Sequence, residues 1–207
     1  MNSAATDNIR AFCEKIGVVF TNTALIETAF THRSYVNEHR GEVKEHNERL
    51  EFLGDAVLEL VVTRFLFDKF PEKPEGELTA YRAALVNTIT ISDAALQLGA
   101  NDCLRLSRGE AKDEGRARQY ILANTFEAII GAIYLDQGYE AAQHFIAENI
   151  FPRIDEVVQK RLWQDSKSHF QEKAQDKASV TPNYQVLSEE GPDHDKLFTV
   201  GVYLKNE

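Results

Sequence analysis

Cysteine is scarce in this 207-residue sequence, which contains only Cys13 and Cys103. The two residues are far apart along the chain, and a cysteine-based metal site would need more ligands than these two. We therefore expect both side chains to be reduced core thiols of a cytosolic protein.

Long apolar runs are also missing. No stretch approaches the ~20 apolar residues of a membrane-spanning helix. The N-terminal segment MNSAATDNIRAFCEKIG is polar and acidic, unlike a secretory signal. We expect no membrane partner and a cytoplasmic location. A hydrophobic fraction of 43% and a charged fraction of 27% are ordinary for a soluble globular protein of one or two domains.

Positive charge is in the minority, with 23 Lys and Arg against 33 Asp and Glu and a net charge of −10. Taken alone, this balance argues against a nucleic-acid partner. Residues 105–118 nevertheless form a local basic segment. From composition alone, this segment is equally a solvated loop or a loop that contacts phosphates. Its basic residues are Arg105, Arg108, Lys112, Arg116 and Arg118.

Helical patterns dominate residues 1–163, and no strand pattern occurs there. We predict N-caps at Asn22 and Ser92. The last helix of this part is expected to kink or restart at Pro152. Other helix ends are predicted at Gly17, Phe70 (before Pro71), Gly99 and Gly138.

The composition changes after Asp165. A short helical segment, SKSHFQEKAQDKA, precedes two alternating runs that are separated by a Gly-Pro-Asp turn. Residues 164–207 are therefore predicted to form an α-β-β unit with an incomplete sheet.

An acidic stripe crosses the otherwise apolar helix HNERLEFLGDAVLELVV, residues 46–62. At ~100° per residue, Glu48, Glu51 and Asp55 fall within about 60° of one another. Like charges at this spacing repel each other. The stripe is either a solvated face of the helix or a site where a divalent cation offsets the repulsion.

A second apolar helix, residues 119–138, carries Asn124 and Glu127 on one face. A lone Glu in such a helix is more often a paired core group or a residue at the lip of a cleft than a metal ligand. If the two helices pack side by side, Glu51 and Asp55 converge with this pair. Oxygen-only clusters of this kind suit Mg²⁺ or Mn²⁺ and usually act on phosphates.

The segment HNERLEFLGDAVL resembles the signature of the ribonuclease III family, the endonucleases that cut double-stranded RNA. Three further segments resemble the family in its order and spacing, so that the similarity covers about residues 8–160. They are FTHRSYVNE (30–38), PEGELTAYRAALV (74–86) and ILANTFEAIIGAIYLDQGYEAA (121–142). The tail resembles the first helix and first two strands of a double-stranded-RNA-binding domain.

The resemblance implies a mainly α protein in two parts. Residues 1–163 would form an all-helical endonuclease domain, and residues 164–207 a partial α-β-β RNA-binding domain without its C-terminal strand and helix. It also implies a homodimer that hydrolyses double-stranded RNA in rRNA or mRNA processing. Mg²⁺ would be the cofactor, with Mn²⁺ as a substitute, and each centre would cut one strand to leave a short 3′ overhang.

The resemblance also assigns roles to individual residues. Glu51, Asp55 and Glu127 match the principal metal-binding and catalytic carboxylates, and Asp55 would position water and accept its proton. Phe52 matches an aromatic residue that inserts into the partner subunit, although an ordinary core Phe fits the pattern equally. The accessory acidic positions are Glu48 and Glu75.

Position 124 departs from the family, which has Asp as a metal ligand where this chain has Asn124. An Asn carbonyl oxygen can bind Mg²⁺, but it brings no negative charge. The enzyme could be active with a retuned site, could bind without cleaving, or could carry an introduced change. We favour the first explanation because every other acidic position is filled.

The RNA contacts that the resemblance implies lie in two places. With the family in view, the loop 105–118 is expected to contact the RNA backbone through its arginines. Gln171 and His194 resemble residues that reach the RNA minor groove, where recognition is mostly through shape and 2′-hydroxyls. For Gln171 and His194, solvated polar side chains are an equally good interpretation.

Overall fold

The computed structural model describes residues 3–41, 43–163, 166–191 and 196–204. The chain divides into two compact units, Met1–Trp163 and Gln164–Glu207. The described part of the first unit consists of α-helices and short 3₁₀ turns, and that of the second has one helix and a two-stranded sheet. The predicted fold class is confirmed.

The first unit contains nine described α-helices, which are joined mostly by short loops. The longest two, α4 and α7, pack against each other at its centre. Short 3₁₀ turns occur at Ala100–Cys103, Glu110–Lys112 and Phe151–Arg153. The helices are α1 (Ser3–Lys15), α2 (Thr23–Ala29), α3 (Arg33–Glu38), α4 (Glu48–Lys69), α5 (Glu75–Leu85), α6 (Thr88–Leu98), α7 (Arg116–Gln137), α8 (Tyr139–Asn149) and α9 (Ile154–Gln159).

Several predicted helix ends are confirmed. Asn22 caps α2 by accepting a hydrogen bond from the Ala24 amide at 3.2 Å. Gly99 ends α6 in the left-handed conformation, with φ of 83°, which only glycine adopts without strain. The last predicted helix is interrupted at Pro152 as expected: α8 ends at Asn149, Pro152 lies in the 3₁₀ turn Phe151–Arg153, and α9 begins at Ile154.

The predicted cap at Ser92 is wrong. Helix α6 begins four residues earlier, at Thr88, and Asn87 caps it by accepting from the Thr90 amide at 2.9 Å. Ser92 is buried inside the helix, where its hydroxyl donates to the Ile89 carbonyl at 3.0 Å. The first four residues of α6, Thr-Ile-Thr-Ile at 88–91, are β-branched and locally disfavour a helix. Packing of α6 against α7 overrides that preference.

A short helix, α3, was not predicted. Its N-cap is His32, whose Nδ1 accepts from the Ser34 amide at 3.3 Å. Histidine is not among the residues that usually cap helices, so the sequence carried no clear start signal here.

The second unit consists of α10 (Ser166–Ala178), β1 (Asn183–Glu190) and β2 (Leu197–Tyr203). The strands pair antiparallel, with Asn183 opposite Tyr203 and an irregularity between Val186 and Ser188. This is the expected α-β-β order. Both cysteines of the chain are free thiols, as expected, and they lie in the first unit. Among the described helices, none has the length and apolar character to cross a membrane.

Candidate active site

The site is built where the backbones of α4 and α7 touch. A Cβ atom added to Gly54 would overlap the main-chain carbonyl oxygen of Glu127. A Cβ added to Gly131 would likewise overlap the carbonyl oxygen of Leu50. Two glycines therefore allow the helices to approach closely, and Gly54 immediately precedes Asp55. The sequence signal for this contact was glycine inside two nearly apolar helices.

Glu127 is the most strongly perturbed carboxyl group of the site. It is partly buried on α7. Burial, followed by the negative charges of Asp55, Glu51 and Glu59, raises its pKa from 4.5 to about 8. The pKa of Glu51 is also raised, by burial and then by Glu48 and Asp55. Glu51, Asp55 and Glu127 were predicted to come together when α4 and α7 pack. In the structure they lie close enough to repel one another.

Asn124 lies one turn before Glu127 on α7 and is partly buried. Within the part of the chain that the structure describes, its side chain makes no hydrogen bond that would commit it to another role. The amide oxygen is therefore an available donor on the same helix as Glu127.

The donor set fits a hard divalent cation in its chemistry, because all of its donors are oxygen atoms. As placed, however, no three His, Cys, Asp or Glu side chains among the described residues are gathered tightly enough to hold a metal ion. Glu51, Asp55 and Glu127 form an open acidic group rather than a finished coordination shell. Drawing them together requires a positive charge to offset their repulsion.

Two other acidic residues lie at the edge of this group. The Glu48 carboxylate pairs with Arg33 at 3.6 Å and lies 3.8 Å from His46 Nδ1, which is a cationic partner only when the imidazole is protonated. Glu59 continues the acidic stripe along α4 but pairs with Arg82 at 2.9 Å. Sequence analysis did not single out Arg33, His46 or Arg82. Each end of the stripe therefore has an arginine partner, whereas Glu51 and Asp55 at its centre make no ion pair with any described residue.

Glu75 stands apart from the other predicted acids. It is the exposed first residue of α5, and its carboxylate accepts a hydrogen bond from Thr79 Oγ1 at 3.0 Å. It does not contribute to the raised pKa values of Glu51 and Glu127.

The raised pKa of Glu127 predicts a pH-dependent stability in the absence of metal. The folded protein holds a proton on this carboxyl group up to about pH 8, whereas the unfolded chain releases it near pH 4.5. The folded state therefore loses stability as pH rises through this window. We expect Glu127→Gln to remove the loss and to raise the free energy of unfolding by about 1–2 kcal/mol at pH 8.

Thermal unfolding in EDTA at several values from pH 5 to pH 8.5 measures this effect. The stability advantage of Glu127→Gln should be small at pH 5 and grow towards pH 8. Glu140→Gln, which changes an exposed carboxylate in the first turn of α8, is the matched control and should show no such trend. An advantage of Glu127→Gln that does not depend on pH would contradict the assignment.

Phe52 is not a core residue, because 80% of its surface is exposed. It lies on α4 beside the acidic stripe and lines a cavity of ≈ 780 Å³ together with Leu50, Leu53 and Leu135. Leu135 in the same lining is also exposed, and a contiguous apolar patch of this kind is typical of an interaction surface.

The four predicted RNA-contacting arginines fall into two pairs. Arg108 and Arg116 are exposed. Arg105 is largely buried and pairs with Glu27 at 3.2 Å, and the Arg118 guanidinium is turned towards the protein. The side chains of Arg105 and Arg118 are therefore used internally, and we retain only Arg108 and Arg116 as exposed candidates.

In the second unit, Gln171 is exposed on α10, where a polar side chain is free to meet a ligand. His194 lies outside the described residues.

Two family models match the chain. One, described as Ribonuclease-III-like, covers residues 22–154, and the other, described as a double-stranded RNA binding motif, covers residues 166–207. The helices of the candidate site fall within the first match.

Named relatives agree with these matches. Ribonuclease 3 from Bdellovibrio bacteriovorus is 47% identical over 195 residues, which cover 94% of this chain and 83% of that protein. Ribonuclease 3 from Anoxybacillus flavithermus is 48% identical over 198 residues, covering 96% and 83%.

Solved structures are similar as well. The nuclease domain of ribonuclease III from Campylobacter jejuni matches with a TM-score of 0.61 at 39% identity, covering 68% of this chain and 96% of that one. Dicer from Pichia stipitis matches with a TM-score of 0.53 at 28% identity, covering 91% and 84%. The likeness in sequence extends over nearly the whole chain, and the chain therefore belongs to the ribonuclease III family.

Proposed function

We propose that this protein is an endoribonuclease that hydrolyses phosphodiester bonds of double-stranded RNA with a divalent metal ion. The observation that carries the proposal is the acidic group between α4 and α7, in a chain of this family. The pKa values of Glu51 and Glu127 are raised first by burial and then by the negative charges of the neighbouring carboxylates, so a cation bound there would stabilise their charged forms. Mg²⁺ is the proposed ion, and Mn²⁺ its substitute.

The proposed residue roles follow from position. Glu51, Asp55, Asn124 and Glu127 would hold the ion, which supplies charge relief at the phosphorus and at the leaving 3′ oxygen and activates water. Asp55 is exposed at the mouth of the group, where it can orient the attacking water and accept its proton. Glu48 and Glu75 would be accessory, since each has a hydrogen-bonding or ionic partner of its own.

The proposed active form is a cytoplasmic homodimer that processes rRNA or mRNA precursors. The Campylobacter jejuni structure is described as having a region involved in dimer formation. The exposed Phe52 on α4 supports a subunit contact at this helix. Arg108 and Arg116 of the nuclease unit would contact the RNA backbone, and Gln171 and His194 of the second unit would reach the RNA minor groove.

A second candidate function is binding of double-stranded RNA without cleavage. Asn124 favours it because this position supplies an amide rather than a carboxylate, and the described acids do not already form a metal cage. We rank it below the nuclease because the other acidic positions are filled.

Cleavage of an end-labelled RNA duplex across Mg²⁺ and Mn²⁺ titrations, with a chelator control, tests the proposal. We expect products with short 3′ overhangs that require metal. Retained duplex binding with no cleavage at any metal concentration would favour the second candidate. Loss of both binding and cleavage in a folded protein would contradict both functions.

Asn124→Asp is expected to lower the Mg²⁺ concentration for half-maximal cleavage by about tenfold, because it adds one negative charge to the ion's ligands. The measurement is the cleavage rate across a Mg²⁺ titration. Gln143→Glu adds the same charge at an exposed position of α8 and should leave the midpoint unchanged. Equal midpoints for Asn124→Asp and the parent protein would show that residue 124 does not touch the metal.

A further inference from the structure

The charged loop, residues 105–115, connects the 3₁₀ turn after α6 to the start of α7. None of these residues belongs to the buried hydrophobic core. A cavity of ≈ 650 Å³ lies between the loop and the helices α6 and α7. Its lining includes Ala111, Asp113 and Glu114 from the loop, Ser92 from α6 and Leu122 from α7. Since apolar packing does not hold the loop, polar contacts must fix its shape.

The first half of the loop is fixed to α3. The amide of Ser107 donates to Ser34 Oγ at 3.1 Å, and the amide of Arg108 donates to Glu38 Oε2 at 3.0 Å. These contacts involve side chains of α3 and backbone groups of the loop. They determine the path of the chain as far as residue 108.

The second half of the loop is fixed by Arg118. Its Nη2 donates to the carbonyl oxygens of Glu110 at 3.0 Å, Ala111 at 3.1 Å and Asp113 at 3.1 Å. Its Nη1 donates to Asn101 Oδ1 at 3.1 Å, in the 3₁₀ turn that precedes the loop. One guanidinium therefore joins the start of α7, the loop and the turn after α6.

Arg118 also fixes the distance between the loop and the acidic group, because it binds the loop and lies on the helix that carries Glu127. Arg118 and Glu127 belong to the same uninterrupted helix, α7, and are separated by about 14 Å along its axis at ~1.5 Å per residue. Lys112 is exposed and lies between Ala111 and Asp113, whose carbonyl oxygens Arg118 binds. The position of Lys112 is thus set from the helix that carries Glu127.

We propose that Arg118 is a positioning residue, a clamp that holds residues 110–113 so that Lys112 is presented to the RNA backbone at a fixed distance from the acidic group. The inference rests on the proposed function, since it assumes that the charged loop contacts RNA. It assigns Arg118 a different role from direct phosphate contact. It also adds Lys112 to the exposed loop residues that meet the substrate.

Arginine is specifically suited to the clamp. Its planar fork places two nitrogen atoms in fixed directions, one towards the loop carbonyls and one towards Asn101. A lysine at this position keeps the positive charge but has a single nitrogen that cannot reach both sets of acceptors. Arg118→Lys therefore separates the charge of the residue from its geometry.

The first experiment needs no RNA. Amide hydrogen exchange is measured on the parent chain and on Arg118→Lys and Arg118→Gln. The amides of Ala111, Lys112 and Asp113, which bond within the loop, should exchange at least about tenfold faster in both variants. The amides of Ser107 and Arg108 should be unchanged, because α3 holds them. Unchanged exchange at residues 111–113 would overturn the clamp.

The second experiment separates positioning from phosphate contact. For duplex cleavage, both Arg118 variants should raise KM roughly tenfold with little change in kcat, because the loop must be ordered on binding. Duplex binding in EDTA should keep the parent's salt dependence in Arg118→Lys. Lys112→Gln should reduce the slope of log Kd against log salt by about one.

Recovery of the parent KM by Arg118→Lys, with a reduced salt slope in Arg118→Gln, would overturn positioning in favour of direct phosphate contact. If the parent chain neither binds nor cleaves duplex while residues 111–113 still loosen, the proposed function fails and the clamp remains as a fold element only. The exchange measurement therefore distinguishes the two failures.

Discussion

Glu127→Gln is expected to reduce cleavage of duplex RNA by about 10³-fold or more at any Mg²⁺ concentration, within the range for loss of a group that acts on the reacting proton or its metal. Gln has nearly the same shape as Glu but carries no charge, so the ion loses a negative ligand while the helix packing is kept. Glu127 has the most strongly raised pKa of the acidic group, first because it is partly buried and then because Asp55, Glu51 and Glu59 contribute negative charge.

The same substitution should leave the protein folded and able to bind RNA. Removal of a carboxyl group whose charged form is disfavoured by burial, and then by the charges of Asp55 and Glu51, is expected to stabilise the metal-free fold. Lost cleavage together with retained or increased thermal stability would separate a functional effect from unfolding.

Single-turnover cleavage with a labelled duplex, together with binding in EDTA and thermal unfolding, makes the comparison. Glu140→Gln on α8 provides the matched control and should cut at the parent rate. Cleavage by Glu127→Gln at the parent rate would remove Glu127 from the metal site and with it the main support for the nuclease mechanism.

The acidic group could be anticipated from the sequence because helix periodicity determines which residues share a face. Glu51 and Asp55 share one face of α4, and Asn124 and Glu127 share one of α7. Apolar residues over the rest of both helices indicated that the two would be buried together. The charge coupling of Glu127 with Asp55 and Glu51 agrees with that geometry.

The internal roles of Arg105 and Arg118 could not be anticipated in this way. Both stand in a charged, glycine-containing stretch whose composition also fits an exposed surface. Their partners, Glu27 and Asn101, are 78 and 17 residues away in sequence, so no local pattern links them. Arg105 lies outside the helices and Arg118 lies in the first turn of α7, but in both cases the direction of the guanidinium is set by the acceptors that the tertiary fold brings near it.

The N-cap of α6 was predicted wrongly for a related reason. Asn87 and Ser92 both belong to the residue types that cap helices. The choice between them depends on whether TITI is helical, and that depends on the surface of α7 against which it packs. Local preference was correct for Asn22 and Gly99.

Gly54→Ala is expected to destabilise the nuclease unit by about 3 kcal/mol or more, which corresponds to a Tm roughly 6–12 °C lower for a chain of this size. The added methyl group would overlap the carbonyl oxygen of Glu127, a backbone atom that cannot move without shifting α7. The helices must separate, and the surrounding buried contacts are loosened.

Gly76→Ala provides the opposite control. Gly76 lies in α5, and a Cβ there would meet no atom within 4 Å. Ala favours helix over Gly, so this variant should be more stable by about 0.5–1 kcal/mol. Thermal and denaturant unfolding of both variants would measure changes of opposite sign from the same Gly-to-Ala replacement. Equal effects would show that the two helices do not touch at Gly54.

Gly131→Ala extends the argument to the second contact, where the methyl group would overlap the Leu50 carbonyl. Once either alanine has pushed α4 and α7 apart, the second should cost less than it does alone. The double variant should therefore be more stable than the sum of the single effects predicts. The separation also moves Asp55 away from Glu127, so cleavage by the folded fraction of either variant should need more Mg²⁺. Closeness of the two backbones is thus required both for stability and for gathering the acids, and glycine permits it at both contacts.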